Sequence, residues 1–247
     1  IVALQGNEVW VGQGAKLLRA KAGAGTEEYK SWFAETKNDM GIRRTYHRAP
    51  AGFQSARAIA AEILKFLYSA AMAESDIAIS RVVVTVPASF QAAQRRDTVS
   101  AAQRAGIPLA EGNLLDEPVA AFLDYLTEVG TANKDLLPEP GQTKNLLVFD
   151  FGGGTCDVAI FRIGHRDSGG LSVTPVTVSR YHRLGGGDID RAIIHEVLIP
   201  QLLEQNGIPQ FALGFEEKRQ RVQPALLAVA EALKQKLSIE IVRLRKL

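Results

Sequence analysis

Apolar positions along the chain change their period several times, and those changes divide it into elements. Short apolar runs at Ile1–Leu4 and Glu8–Gly12 flank Gly6-Asn7 in a hairpin pattern. Tyr29–Met40 is mixed and amphipathic and predicts a short helix or an irregular segment. Between Phe53 and Met72 the period turns helical. Ala56, Ile59, Ile63, Phe66 or Leu67, and Ala70 share one face, with Glu62, Lys65 and Ser69 on the other. The β-branched run Arg81–Val86 predicts a strand covered on both faces and stopped by Pro87. Ser89 or a neighbour is placed to cap a helix over Phe90–Arg104, which Gly106 ends. A short strand at Asn113–Leu115 precedes a helix that opens at Glu117-Pro118 and runs through Leu126. Strand, helix, strand and helix at this spacing predict a parallel βαβ unit with a right-handed crossover. Ligands sit outside the carboxyl ends of strands in such sheets, and Pro87, Asp116-Glu117 and Asp150 all fall at those ends.

Gly130–Lys144 is rich in proline, glycine and polar residues and reads as a linker or loop. Two strand-like runs follow, Leu146–Phe149 and Cys156–Ile163, separated by a glycine cluster, a second hairpin pattern. Leu171–Leu184 reads as further strand with a bulge or edge at Pro175, and Gly169-Gly170 before it as a loop. A second cluster, Gly185-Gly186-Gly187-Asp188, stands before a helix from Ile189 that Pro200 ends or kinks. Glu216–Leu237 is a long helical pattern interrupted near Pro224, after which Ser238–Leu244 turns strand-like. No short repeat is present. The second half opens with a hairpin, a strand and a helix, whereas the first keeps only a hairpin before its helices. If the halves are related, the strands that would open the first are missing.

Composition narrows the class. The 247 residues are 46% hydrophobic and 23% charged, enough for a sizeable core near the size where one domain becomes two. A net charge of +2 favours neither nucleic acid nor an anionic membrane. No apolar run approaches the roughly 20 residues of a membrane span, and no secretory pattern opens the chain. One cysteine, Cys156, excludes an internal disulfide and suits a reducing cytoplasm, and the four histidines form no zinc spacing. The start at Ile1 without an initiator Met predicts a piece of a longer protein.

The candidate chemistry lies in NLLVFDFGGGTCDVAIFRI, Asn145–Ile163. Glycine permits backbone conformations closed to other residues and lets a ligand approach the peptide N–H groups, which can form a concave anion site. Gly152, Gly153 and Gly154, the Thr155 hydroxyl, and carboxylates at Asp150 and Asp157 could therefore hold phosphate with magnesium nearby. Taken alone, a glycine turn between strands is more often only a turn. No G-x-x-x-x-G-K-[ST] or G-x-S-x-G occurs, and Gly12-x-Gly14 lacks the third glycine of a dinucleotide site.

The combination is more specific. VVVTVPASFQAAQRRDTVSAAQRAGI (Val82–Ile107), LLDEPVAAFLDYL (Leu114–Leu126), LVFDFGGGTCDVAIF (Leu147–Phe161), LGGGDIDRAII (Leu184–Ile194) and AEALKQKLS (Ala230–Ser238) follow one another in order. Together they resemble the nucleotide-binding domain of the heat-shock-70 (DnaK-like) chaperones, most weakly over Gly14–Gly52. The resemblance implies an α/β actin-like ATPase fold of two ribonuclease-H-like lobes around a nucleotide cleft, truncated at both ends. The partial first lobe would be 1–142 and the partial second lobe 143–247.

Site roles carry over from that resemblance one residue at a time. Asp150 resembles the carboxylate that holds magnesium through water, and Asp157 its partner near the hydrolytic site. Gly152, Gly153, Gly154 and Thr155 match the second phosphate loop, and Glu117 the glutamate on the γ-phosphate side. Lys37, in FAETKNDMG, corresponds to the lysine that positions the attacking water. Pro87 and Arg95 match a pair that relays nucleotide state towards the peptide-binding domain. Gly185, Gly186 and Gly187 would approach phosphates and ribose, while Glu231, Lys234 and Ser238, on one helix face, match positions that contact ribose and adenine. The chain departs from the pattern at four places: Gln235 for a usual arginine stacked on adenine, Gly187 for a glutamate, Ser89 for a tyrosine and Asp116 for an asparagine.

The implied function is ATP hydrolysis with Mg2+, yielding ADP, in a full-length cytoplasmic chaperone, the fragment alone being expected to bind Mg-ATP weakly and hydrolyse it negligibly. Its partners in full length would be unfolded polypeptide, a J-domain co-chaperone and a nucleotide exchange factor. Two rivals are an actin-like filament-forming ATPase and a nucleotide-dead scaffold of the same fold. The VPASFQAAQRR run argues against the first, while Gln235 and Gly187 leave room for the second.

Overall fold

The computed structural model describes residues 1–20, 25–76, 79–129, 137–180, 182–209 and 212–245. It is an α/β structure with three small sheets. The first hairpin forms as its pattern predicts, β1 (Val2–Gln5) against β2 (Glu8–Val11), with Gly6 in the turn at φ +59°. On its other side β1 pairs antiparallel with β3 (Trp32–Phe33), which together with a 3-10 turn at Thr36–Asp39 replaces the helix considered for Tyr29–Met40. A helix that the pattern did not predict, α1 (Gln13–Ala20), follows β2 and buries Ala15 and Leu18 against Ala3 and Trp32.

Helix α2 (Ala56–Glu74) is capped by Ser55, whose hydroxyl accepts from the Ala58 N–H. Only its first half keeps the predicted buried face. Ala56, Ala58, Ile59 and Ala61 are buried, whereas Phe66, Leu67 and Ala70 are exposed. The strand predicted at Arg81–Val86 shortens to β4 (Val84–Val86), and it is not covered on both faces, since Val83 is 47% exposed. Both departures have one cause: among the described residues β4 pairs only with β5 (Leu114–Asp116). An open apolar groove of about 760 Å³ is left between the free edge of β4 and the far half of α2.

The predicted βαβ unit is present as β4, α3 (Ala92–Arg104) and β5, with β4 and β5 parallel. Ser89 does not cap α3. Gln91 does, in a reciprocal capping box with Gln94, and Gly106 follows the helix at φ +83°. Helix α4 (Glu117–Val129) begins directly after β5. The linker predicted at Gly130–Lys144 lies outside the described residues over 130–136.

Strands β6 (Lys144–Phe151), β7 (Cys156–His165) and β8 (Leu171–Val178) form an antiparallel meander. The register shifts by one residue beside Pro175, the bulge its missing N–H predicts. Alternation on β7 buries Asp157, Ala159, Phe161 and Ile163. The other face of the sheet leaves Leu147 and Phe149, on β6, 60% and 63% exposed.

Helix α5 (Gly186–Ile193) starts three residues earlier than predicted. Pro200 does not end it. A π turn at Ile194–Leu198 leads into α6 (Ile199–Gln205), where Pro200 takes a first-turn position in which its missing N–H costs nothing. A short helix α7 (Phe215–Glu217) and a second π turn (Lys218–Val222) lead in the same way, through Pro224, into α8 (Gln223–Leu244). Ser238–Leu244 is the last stretch of α8 and not a strand. Ile194, Ile199, Leu203 and Ala230 pack the first π turn, α6 and α8 into one core.

Candidate functional site

The centre is the β6–β7 turn. Register pairs Asp150 directly with Asp157, and opposed residues of an antiparallel pair share a face, so both carboxylates lie on one side of the hairpin. Within the turn the Gly152 N–H donates to the Thr155 carbonyl at 2.9 Å. Among the described residues none accepts from the N–H groups of Gly153 and Gly154. The second glycine cluster lies directly on the first. Gly186 N–H donates to Gly152 O at 2.9 Å and Gly187 N–H to Gly153 O at 2.8 Å.

None of these six glycines has a positive φ, so conformational freedom is not what they supply. Close approach is. A Cβ on Gly185 would stand 2.5 Å from Gly154 N and 2.7 Å from Gly152 O, both backbone atoms that cannot yield. Gly153, by contrast, faces open space, with nothing within 4 Å of a Cβ placed there. Interlocked backbone on one side and open peptide groups on the other is what an anion cradle requires.

The first half of the chain reaches the β6–β7 hairpin at two places. At the 3-10 turn the Asn38 amide lies 3.8 Å from the Cβ position of Gly154, and Lys37 Nζ donates to Glu117 Oε1 at 2.7 Å. Lys37 and Glu117, 80 positions apart, are thus one ion pair beside the turn. After β4 the Ser89 hydroxyl donates to Asp157 Oδ1 at 2.6 Å, and Asp157 is 1% exposed. Pro87 is fully buried, and Arg95 bonds the Phe90 carbonyl through Nε and Asp116 through its terminal nitrogen, at 2.9 and 2.5 Å.

Helix α8 supplies the opposite wall. Lys234 Nζ donates to Gly186 O at 3.0 Å and to Asp190 Oδ2 at 2.8 Å. It lies 2.7 Å from Asp190 Oδ1 in ionic contact, though Oδ1 accepts no aligned hydrogen bond. Asp190 is 6% exposed, so the lysine is its neutralising partner. Gly152, Gly186, Lys234, Gln235 and Ser238 line a cleft of about 490 Å³. Glu231 lies outside it, in a bidentate pair with Lys16 of α1 at 2.7 Å to both oxygens. Ser238 is exposed, its hydroxyl bonded back to the Lys234 carbonyl. Cys156 is half-buried, its N–H donating to the His182 carbonyl at 3.1 Å.

A charged chain ties the second glycine cluster to the first half. Gly185 N–H donates to Asp188 Oδ2, Arg191 donates to Asp188 Oδ1 at 2.6 Å, and the same guanidinium donates to Glu35 Oε1 at 2.9 Å. Partial burial opposes ionisation of the Asp188 carboxyl, but the Arg191 and Gly185 donors outweigh it and hold the group below its ordinary value. Burial likewise opposes the Arg191 charge, and its two carboxylate partners raise it overall.

Residues 24–244 match the family model described as Hsp70 protein. The chain belongs to the Hsp70 family. It is 31% identical to a heat shock cognate HSP70 protein of Trypanosoma brucei brucei across 86% of this chain and 32% of that protein. It is 36% identical to chaperone protein dnaK1 of a Nostoc species and 35% identical to chaperone protein DnaK of Trichormus variabilis. Each of those matches covers 74% of this chain and 23% of the relative. The chain thus spans between about a quarter and a third of the length of these relatives.

Within the Hsp70 frame the departures acquire local reasons. A Cβ on Gly187 would stand 3.0 Å from Glu35 Oε1 and 3.3 Å from Gly153 O, so a glutamate there would meet the Glu35 carboxylate. Gln235 lines the α8 cleft beside Lys234 and Ser238. Asp116 is the acceptor for Arg95. Lys16, Glu35, Ser89, Asp190 and Arg191 escaped the sequence reading as site residues, since charged or polar residues with distant partners carry no local signal. Asp190 alone had one, two positions beyond Asp188 on the same helix.

Proposed function

We propose that this chain is part of the nucleotide-binding domain of an Hsp70 chaperone that in full length binds ATP and ADP with magnesium between two actin-like lobes, of which 1–142 and 143–247 are parts, and that the chain alone binds Mg-ATP weakly. The observation that carries the reading is the interlocking of Gly152–Gly154 with Gly185–Gly187 beneath Lys234, with Asn38, next to the Lys37–Glu117 pair in sequence, reaching Gly154.

Asp150 and Asp157 offer hard oxygen donors on one face beside a cradle free of Cβ atoms. No group of three or more acidic, histidine or cysteine side chains suited to a metal exists among the described residues. This donor set fits magnesium, which keeps several waters and takes one or two carboxylates plus phosphate oxygens. When bound, the ion supplies charge neutralisation at the phosphates. The open N–H groups of Gly153 and Gly154 and the Thr155 hydroxyl bind the phosphate oxygens. Lys37, held by Glu117, orients a water for in-line attack, and catalysis rests on positioning with no covalent enzyme intermediate. Pro87 and Arg95 carry the nucleotide state onward. In the full-length protein this cycle would act on unfolded polypeptide with a J-domain co-chaperone and an exchange factor, in the cytoplasm.

Calorimetric titration with Mg-ATP, on this chain and on the full-length protein, tests the reading. Micromolar binding by the full-length protein that Asp150→Ala abolishes or uncouples from magnesium supports it. Full ATPase activity in Asp150→Ala overturns the metal assignment. A second reading, a nucleotide-dead scaffold, draws on Gln235 in the cleft wall. It predicts no nucleotide binding by the full-length protein in the same titration.

A further inference from the structure

The Ser89 hydroxyl has no role in the helix cap and none in the nucleotide chemistry, yet among the described residues it makes the one hydrogen bond to the Asp157 side chain. Asp157 is buried, and a buried carboxylate is stable only with donors aimed at it. Ser89 is held in turn. The Phe90 N–H donates to the Pro87 carbonyl at 3.0 Å, closing a turn around Ser89. The next carbonyl, Phe90 O, accepts from Arg95 Nε, and Arg95 is fixed by Asp116 at the end of β5, next to Glu117 and its partner Lys37. An unbroken set of contacts therefore runs from Lys37 and Glu117 through Arg95 and the Pro87–Phe90 turn to one oxygen of Asp157.

We propose that Ser89 is the positioning residue for Asp157, fixing Oδ1 and with it the orientation of the carboxylate that would serve a bound cation, and coupling Asp157 to the turn at Pro87. The inference rests on the ATPase reading of the cleft. A serine hydroxyl is short, so the bond forms only while the Pro87–Phe90 turn stays within reach of β7. Movement of that turn breaks the bond and frees the carboxylate to rotate. Ser89 thereby makes the state of the first half legible at the hydrolytic carboxylate.

The experiment uses the full-length protein, with Ser89→Ala, Ser89→Thr and Asp157→Asn compared in single-turnover ATP hydrolysis and in calorimetric ATP binding at varied magnesium. Loss of one hydrogen bond that acts only on orientation slows hydrolysis by about fivefold to tenfold. In Ser89→Ala the expected result is that loss with ATP affinity at saturating magnesium within about twofold, and a rise of about threefold in the magnesium needed for half-maximal affinity gain. Ser89→Thr, which keeps the hydroxyl, regains most of the rate. Wild-type rate and magnesium dependence in Ser89→Ala, with Asp157→Asn slow, overturn the inference alone. Equal slowing in Ser89→Ala and Ser89→Thr overturns it too, because the effect would then belong to the shape of the turn. Wild-type hydrolysis in Asp157→Asn removes the catalytic reading of the cleft, and Ser89's role with it.

Discussion

Glu35 and Arg191 meet at 2.9 Å across 156 positions of sequence, and Gly187 is the residue that leaves them room. Glu35 holds a left-handed backbone, φ 54° and ψ 21°, which costs a non-glycine residue of order 1 kcal/mol. The strain turns the chain from β3 into the 3-10 turn that carries Lys37 and Asn38. Glycine at 187 and glutamate at 35 therefore read as one arrangement. The carboxylate beside this glycine loop is supplied from the other half of the chain.

A glutamate at position 187 should thus be unfavourable. Gly187→Glu places two carboxylates against each other beside Gly153 O, and a loss of roughly 1–3 kcal/mol is expected. Pairing it with Glu35→Ala should recover most of the loss, a coupling that a double-mutant cycle in urea denaturation reads directly. Additive losses would mean that the two positions do not share this space. Glu35→Ala alone, at an exposed pair, should cost under about 1 kcal/mol.

The two glycine clusters separate stability from binding. Gly185→Ala forces a Cβ to within 2.5 Å of backbone, so the loops must part, and a loss of about 3 kcal/mol is expected. Gly153→Ala meets nothing within 4 Å and has no left-handed backbone to strain. Its melting temperature should stay within a few degrees while nucleotide affinity falls about tenfold, the methyl standing in the cradle. Thermal denaturation and calorimetry on the two variants check the contrast. Unchanged nucleotide affinity in Gly153→Ala would remove the phosphate from that turn.

How far the sequence discloses this follows from the range of each cause. The glycine clusters are legible because the requirement, a missing Cβ, is written at the residue itself. Their purpose is less so, as positive φ and close approach leave the same letter. Ser238–Leu244 misleads because Ile239, Ile241, Val242 and Leu244 alternate closely enough for a strand, while the helix begun at Gln223 carries through them, leaving all four exposed. Pro200 misleads because a π turn just before it restarts the helix, making it a first-turn residue. Glu35, Lys16 and Arg191 are opaque, as long-range charge pairs have no period.

The Asp188–Arg191 link makes the tether pH-sensitive. Asp188 ionises below its ordinary value of 3.8 in the folded chain, so the unfolded chain binds its proton more readily. Stability from this group is fully present above the ordinary carboxylate range and is lost as pH falls through the folded value. The group is partly exposed, so the contribution is at most about 1 kcal/mol. Wild type should therefore melt a few degrees above Asp188→Asn at pH 7, with the gap closing as the pH falls below the ordinary carboxylate range. A gap that persists in acid would assign the effect to shape.

Lys234 is the most consequential single cation. It neutralises the buried Asp190 and also holds the Gly186 carbonyl, so it fixes the α8 wall of the cleft and the glycine loop together. Lys234→Met leaves a buried carboxylate without its counter-charge, a loss of roughly 3 kcal/mol. Adding Asp190→Asn removes the stranded charge and should recover at least half of that stability. Nucleotide binding should not recover with it, because the bond to Gly186 and the cation in the cleft remain absent. Stability from chemical denaturation and affinity from calorimetry, measured on the same three variants, should therefore part company. If binding returns together with stability, Lys234 acts through the fold alone and does not touch the ligand.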